Sequence, residues 1–169
     1  KLFYKRATVE ITVNNKTDEY YVGEEIPAPV VDETKIPDGY EQDGWIDENG
    51  NPVEVPYTVK ENGNPAEIQP NIVPSTDTEY KVEIYLMNEK GEYVLADTDV
   101  LAGTTGETVT ADYADYAPEE AYYSADTTAE DTVTSDTIKG DGSTVLKLFY
   151  KRATVEITVN GETDDYYIG

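Results

Sequence analysis

Fourteen residues occur twice in this chain, letter for letter: KLFYKRATVEITVN opens it as Lys1 to Asn14 and returns as Lys147 to Asn160. The likeness runs on past the identical part, with NKTDEYYVG at Asn15 to Gly23 and GETDDYYIG at Gly161 to Gly169, at an offset of 146 positions (147 minus 1). Self-similarity at a fixed offset constrains the architecture before any local reading does, because whatever the first copy builds the second must be able to build. A period this long is more than one supersecondary unit, so each period should hold small domains in series. The expectation is a segment of a tandem-repeat protein, one full period plus the first strands of the next.

The repeated stretch also indicates how such domains join. Leu146, Leu148 and Tyr150 are apolar at even positions, whereas Val155, Ile157 and Val159 are apolar at odd ones. Side chains in a strand alternate faces with period two. The buried face therefore changes sides around Lys151, Arg152 and Ala153, where there is no Gly or Pro to loosen the chain. One continuous strand from Thr144 to Asn160 would close one core and open another, spanning roughly 56 Å at about 3.3 Å per residue. That is a stiff joint.

Residues 7–78 and 79–152 then form two lobes, with 1–6 the last strand of a preceding repeat and 153–169 the first hairpin of the next. Each lobe is small enough for its core to be marginal. With no Cys and no His, neither a disulfide framework nor the usual zinc ligands make up the difference. Sharing a strand with a neighbour is the stabiliser that the sequence does offer. The 36 acidic residues against 12 basic ones give a net charge of −24. Such a chain repels phosphate backbones and anionic lipid, which argues against nucleic acid and membrane surfaces as partners. No apolar run reaches the 18 or so residues of a membrane span.

Along the first lobe, Val9, Ile11 and Val13 alternate with polar residues, and Asn14-Asn15 (Asn160-Gly161 in the second copy) is a hairpin turn returning through Tyr20 to Val22. Pro27, Pro29 and Pro37 make Gly23 to Pro37 an extended connection with at most a short helical turn. Gly39 to Ile46 reads as a strand carrying the only Trp, Trp45, into the core. Asp47 to Asn51 is a tight turn into a strand at Val53 to Val59, and Ala66 to Val73 is the last strand. In the second lobe, Tyr80, Val82, Ile84 and Leu86 alternate, Asn88 to Gly91 turns into Tyr93 to Leu95, and a Thr-rich strand ends at Val109. Pro118-Glu119-Glu120-Ala121 reads as a helix start. Ser124 to Asp136 is poor in large apolar residues and reads as irregular, and Thr144 to Arg152 is the closing strand.

Two resemblances lie on these residues. A hairpin, then Gly23-Glu24-Glu25-Ile26-Pro27, Gly39-Tyr40, Gly44-Trp45 and Asp47-Glu48-Asn49-Gly50, resembles the Listeria–Bacteroides repeat, the internalin B-type B-repeat. Tyr80 to Tyr85, Gly103-Thr104-Thr105-Gly106 and Asp141 to Leu146 leading to Tyr150-Lys151-Arg152 are similar to mucin-binding-protein-type repeats. The resemblances imply a mostly β (α+β) chain of two small β-grasp-like domains in series, in a Gram-positive, extracellular, wall-attached protein. Their motifs are turn and strand signatures, so they identify scaffold.

Chemistry is harder to locate. Without His or Cys, catalysis would need Ser/Lys or carboxylate pairs, and no pair has a setting that singles it out. No catalytic residue, cofactor or metal site is assigned. Asp47-Glu48-Asn49-Gly50-Asn51 offers oxygens to calcium, as do Asp97 with Asp99 and Asp112 with Asp115, but Pro52 and Thr58 stand where a calcium loop wants Gly and Glu. The first of these reads as a turn. Lys81 and Lys147 lie on strands, where an isopeptide link to Asn or Asp would brace a small core, with Lys147 on the outward parity. Solvated edge lysines are the plainer reading of both. Tyr20, Tyr21, Tyr113, Tyr116, Tyr122 and Tyr123 are the candidate ligand platform, amphipathic rings suited to a glycan or protein surface. Core packing is the alternative use of the same rings. Two functions stay open: a stalk that projects a distal domain from a cell surface, its partners being neighbouring repeats of the same chain, and a multivalent adhesin module for host mucin, glycan or a surface protein.

Overall fold

The structure is a computed structural model that describes residues 1–169. It is mostly β, with fourteen strands and a single 3-10 turn at Glu33–Lys35 as its only helix. Two sheet-containing bodies divide the chain, unit 1 over Lys1–Val73 and unit 2 over Pro74–Gly169.

In unit 1, β1 (Thr8–Val13) and β2 (Lys16–Tyr21) form a hairpin. Asn14 and Asn15 both take positive φ, 47° and 65°, as a two-residue turn of this hand requires. The short β3 (Glu25–Ile26), β4 (Tyr40–Ile46), the short β5 (Tyr57–Thr58) and β6 (Glu67–Pro74) follow. The main sheet runs β2-β1-β6-β4, with β1 parallel to β6. Ile11, Ile26, Trp45, Tyr57, Val59 and Ile68 make its core, and Val9, Val13 and Tyr20 pack against it. The alternation of Val9, Ile11 and Val13 thus faces inward, and Trp45 lies in the core as its strand position implies.

Unit 2 repeats the plan. β7 (Thr78–Met87) and β8 (Tyr93–Gly103) form a long hairpin, followed by β9 (Thr108–Thr110), β10 (Tyr123–Ala125), β11 (Ser135–Thr137) and β12 (Val145–Arg152). The main sheet runs β10-β12-β7-β8, with β12 parallel to β7. Leu146 lies opposite Val82, Leu148 opposite Ile84 and Tyr150 opposite Leu86, so one face of the two central strands is continuous apolar surface. That face holds the core, with Ala111 beneath it and Tyr80, Leu101, Val109 and Val133 around it. The fully buried Thr144 hydroxyl is paired: it accepts from the Lys139 amide at 2.8 Å and donates to the Thr137 carbonyl at 3.0 Å. The last hairpin, β13 (Thr154–Val159) with β14 (Glu162–Tyr167), has the register of β1–β2 shifted by one period, Thr154 opposite Tyr167 as Thr8 is opposite Tyr21.

Several local expectations are corrected. Pro118 to Ala121 starts no helix; the chain turns there, with the Tyr123 amide on the Glu120 carbonyl at 3.0 Å, and enters β10. Its acidic first turn has no following apolar stripe to bury, and a helix without one is not held. The Val53 to Val59 strand shrinks to β5, since Pro52 and Pro56 withhold ladder donors. Ser124 to Asp136 is less irregular than its composition suggested, for it contains part of β10 and the start of β11. The long stretch from Thr144 to Asn160 is interrupted once: β12 ends at Arg152, Ala153 stands outside both strands, and β13 begins at Thr154.

Residues 1–6 form no strand. Leu2, Phe3 and Tyr4 are 84%, 83% and 90% exposed, whereas the identical Leu148, Phe149 and Tyr150 are 0%, 6% and 2% exposed in β12.

Candidate functional site

The crossover around Ala153, read from side-chain parity alone, is the most elaborately held place in unit 2. Its centre is Arg152. The guanidinium Nε donates to the Ile168 carbonyl, and the group lies 4.9 Å from the Tyr122 ring centroid and 5.8 Å from that of Tyr123. One terminal nitrogen is 3.8 Å from the Glu89 carboxylate, and the Arg152 side chain is only 9% exposed. A planar, weakly hydrated cation suits this place, because it packs against rings while its edge hydrogen-bonds. Backbone bonds close the same joint, Ala153 N to Tyr122 O at 2.8 Å and Ile168 N to Ala153 O at 2.9 Å. Tyr167, at the end of β14, lies against Gly91 in the β7–β8 turn. Gly91 has φ +80°, and a Cβ there would overlap the Tyr167 hydroxyl, so glycine serves both the turn and the close approach.

The first copy repeats the inner part of this arrangement. Arg6 Nε and Nη2 donate to the Val22 carbonyl at 3.0 and 2.7 Å, and the Val22 amide donates to the Ala7 carbonyl at 3.0 Å. The ring beside Arg6 is Tyr21, at 5.5 Å. Arginine spanning the base of the hairpin is therefore a feature of the repeated segment itself, and the pair Tyr122–Tyr123 beneath the arginine is what unit 2 adds.

The six tyrosines of the candidate platform take several positions. Tyr20 packs on the unit 1 core, and Tyr21 is exposed on the same hairpin. Tyr113, Tyr116 and Tyr123 pack on the unit 2 core. Tyr113 meets Tyr150 edge-on at 5.3 Å and receives the Tyr150 hydroxyl on its carbonyl at 2.7 Å. Burial raises the pKa of Tyr116. Tyr122 packs beside Tyr123, centroids 4.9 Å apart, under Arg152. Tyr122 and Tyr123 are thus brought together, and both belong to the joint.

Sequence reasoning missed a second aromatic site on the other face of the sheet. Phe149 stacks on Tyr85 at 4.7 Å and meets Tyr93 edge-on at 5.0 Å. Parity held the signal for two of the rings, since Phe149 and Tyr85 are odd in strands whose even positions read as core, and Tyr93 joins them through the register shift of β7 against β8 after Ile84. A cleft of about 390 Å³ opens beside the three rings, lined also by Ala129, Glu130, Asp131 and Lys147. Lys147 Nζ lies 6.0 Å from the Tyr85 centroid. The Tyr93 hydroxyl donates to the Asp126 carboxylate at 2.6 Å, which also accepts from the Thr128 amide and hydroxyl at 3.0 and 2.7 Å. These hydrogen bonds, Tyr93 first, pull the Asp126 pKa down to about 2. Tyr85 donates to Glu83 at 2.7 Å, and that bond together with burial pushes its pKa up to about 12. Both hydroxyls stay protonated through neutral pH and act as donors to fixed carboxylates.

Of the remaining oxygen-rich candidates, Asp47 to Asn51 and Asp112 to Asp115 are turns, whereas Asp97 and Asp99 lie within β8. The Asp47 carboxylate accepts from the amides of Asn49 and Asn51, each at 2.8 Å, and from Asn51 Nδ2, and the Asn51 bonds lead the fall in its pKa. Asp112 accepts from the Ala114 amide and Asp97 from the Thr98 amide, each at 2.8 Å. No protein-family model matches the chain, and no curated protein matches it.

Proposed function

We propose that this chain is a structural spacer: a stalk segment of a bacterial cell-surface adhesin, extracellular and wall-attached, which holds a distal functional domain away from the cell and carries no catalysis of its own. The supporting observation is the joint. The same arginine-clasped hairpin occurs at the start and at the end of one period, and at the second place the arginine lies over a tyrosine pair, with the chain direction fixed through a single residue, Ala153. A joint held by side chain and backbone together resists bending, which a spacer needs and a catalyst does not.

Within this reading both units are β-grasp-like. What supports that is their shared strand order, in which a first hairpin is followed by a last strand inserted parallel to the first and a middle strand at the far edge. β12, Ala153 and β13 then act as one mechanical rail from one repeat to its neighbour. The acidic surface keeps such a rod soluble and unadhesive.

The test is the length of chains of one, two and three periods, measured by X-ray scattering. A stalk lengthens by a constant increment per period, and Arg152→Ala, which removes the clasp, makes that increment shorter and more variable. Lengths that fail to grow with period number would refute the reading.

A second reading, a multivalent adhesin module for host mucin, glycan or a surface protein, is favoured by the cleft beside Tyr85, Tyr93 and Phe149, where aromatic faces meet Lys147, Glu130 and Asp131. Saturable binding to a mucin and glycan panel that grows with period number and is lost in Tyr85→Ala would make it the primary function.

A further inference from the structure

The strand order β10-β12-β7-β8 leaves β8 on the outside of its sheet, and every residue from Val94 to Val100 is exposed. Its free backbone groups follow from the pairing of its neighbour. The Lys81 amide of β7 donates to the Thr144 carbonyl at 3.0 Å, so Lys81 points its backbone away from β8, and by alternation Tyr80 and Val82 point theirs towards it. Leu101 and Asp99, the residues opposite, therefore use their N–H and C=O groups inside the sheet. Thr98, Val100 and Ala102 turn theirs outward. The Thr98 amide is met by the carboxylate of Asp97 at 2.8 Å, whereas no partner meets the amides of Val100 and Ala102. A register shift between Ile84 and Tyr85 breaks the ladder at the Tyr93 end of β8, and the regular run is Asp97 to Gly103.

The side chains along that run differ between the two faces. Asp97 and Asp99 lie opposite Ile84 and Val82, on the face that holds the core, while Val100, 52% exposed, lies opposite Lys81 on the other. Beside Asp97 a cleft of about 370 Å³ has Ile84 and Leu86 at its floor and the exposed Asp115, Glu119 and Glu120 at its rim. None of these carboxylates is in an ion pair, and no Lys or Arg lines the cleft.

Unpaired donors and acceptors along a strand are a template for another strand, and the charge beside them selects which. A second β8 is the wrong occupant. Paired antiparallel about Thr98 it would set Asp97 against Asp99, and like charges directly opposite are destabilising. We propose that the Thr98–Ala102 edge of β8 takes an extended segment of a partner protein, with lysine or arginine alternating with apolar residues, as a further antiparallel strand. On the core side its basic residues meet Asp99, or lay their aliphatic stems over Ile84 and Leu86 with the charge among Asp97, Asp115, Glu119 and Glu120. On the outer side its apolar residues cover Val100. Main-chain bonds to Val100 and Ala102 supply affinity, and the carboxylates choose the partner. The inference holds whether or not the chain is a spacer, because it concerns an edge within one folded unit.

The probe is a capped octapeptide alternating lysine with valine, titrated into the mM range against the full chain while backbone amides are followed by NMR. With its lysines on the core side, the valines carry the backbone groups that meet β8, so the same peptide with N-methylated valines keeps the charge and loses the ladder. Saturable shifts should centre on Thr98, Val100 and Ala102 with slowed exchange of those amides, and the methylated peptide should produce neither. Asp99→Asn should weaken binding about 2- to 5-fold, the worth of one exposed ion pair, and added salt should weaken it further. Val100→Pro removes an outward donor and takes none from β7, so it should abolish binding. Should that variant disturb the fold, Asp97→Lys/Asp99→Lys replaces it, and should exchange the preference for the matching glutamate–valine peptide. No saturable shift at β8 overturns the proposal. Equal shifts from both lysine peptides, or shifts spread over the acidic surface, overturn it too, because they would mean attraction to the net charge of −24 alone. So does self-association of the chain without peptide that Val100→Pro abolishes, since the edge would then belong to a second copy.

Discussion

Truncating one isoleucine at each of two equivalent positions isolates packing from propensity. Ile11 and Ile157 sit in the same fourteen-residue sequence, in hairpins of the same register, so intrinsic strand preference cancels between them. Ile11 is 0% exposed and Ile157 is 44% exposed. A buried Ile→Ala change loses the transfer free energy of the deleted carbons and leaves a cavity, about 2–5 kcal/mol in all. For a unit of this size the whole stability is of the order of 4–11 kcal/mol. Taking about 3 kcal/mol for Ile11→Ala, and about 4–8 °C per kcal/mol in a domain this small, the unit 1 melt followed by Trp45 emission should fall by about 12–24 °C. Ile157→Ala leaves no enclosed cavity and removes carbons already half in water, so its cost is about 1 kcal/mol or less. Circular dichroism of Ile157→Ala should show a melt within a few degrees of wild type. Equal losses at both positions would mean that the hairpin is stabilised from within, and the account of its core would be wrong.

Phe149→Ala should cost unit 2 about 3–5 kcal/mol, since Tyr85 and Tyr93 both lose their ring partner; a loss under about 1 kcal/mol in urea unfolding would show that the cluster is surface ornament. Asp126 has its pKa depressed in the folded state, from the ordinary 3.8 to about 2, so it contributes stability above about pH 4 that is lost as the pH falls towards 2. Asp126→Asn should flatten the fall in urea midpoint between pH 4 and pH 2, and an unchanged slope would remove Asp126 from the account. In alkali the sign reverses: Tyr85 and Tyr150 are both pushed up to about 12, so unit 2 should lose stability as the pH climbs from 10 towards 12, read as tyrosinate absorbance rising together with loss of β-sheet signal.

Period-two alternation carried most of the fold that was legible. It found β1, β7 and β12 and their inward faces, because each lies in the middle of a sheet where one side must be apolar. Turn chemistry found the Asn14-Asn15 and Asn160-Gly161 hairpins for an equally local reason, the need for positive φ. Short edge segments were the failures. β10 and β11 are three residues each and exist through a partner distant in sequence, β12 and β9, which no window over Ser124 to Asp136 contains. Pro118 to Ala121 had a helix start with no stripe behind it. At the site, parity located the crossover at Lys151 to Ala153, but Arg152's setting depends on Tyr122, Tyr123 and Glu89, dozens of positions away. Phe149 escaped because a central strand can be buried on both sides, whereas alternation marks only one.

The exactness of the repeated tract has a genetic consequence. A crossover between the two copies, at any of the fourteen shared positions, preserves the joint residue for residue: Leu148 to Tyr150 still fill one sheet, the arginine still clasps the hairpin base, and the valines and isoleucine keep their alternation. In the repeat protein proposed above, recombination then adds or deletes whole periods without passing through a misfit intermediate, and length can vary while local structure does not. A divergent joint would lose that freedom, since each hybrid would pair a hairpin with a core shaped for another.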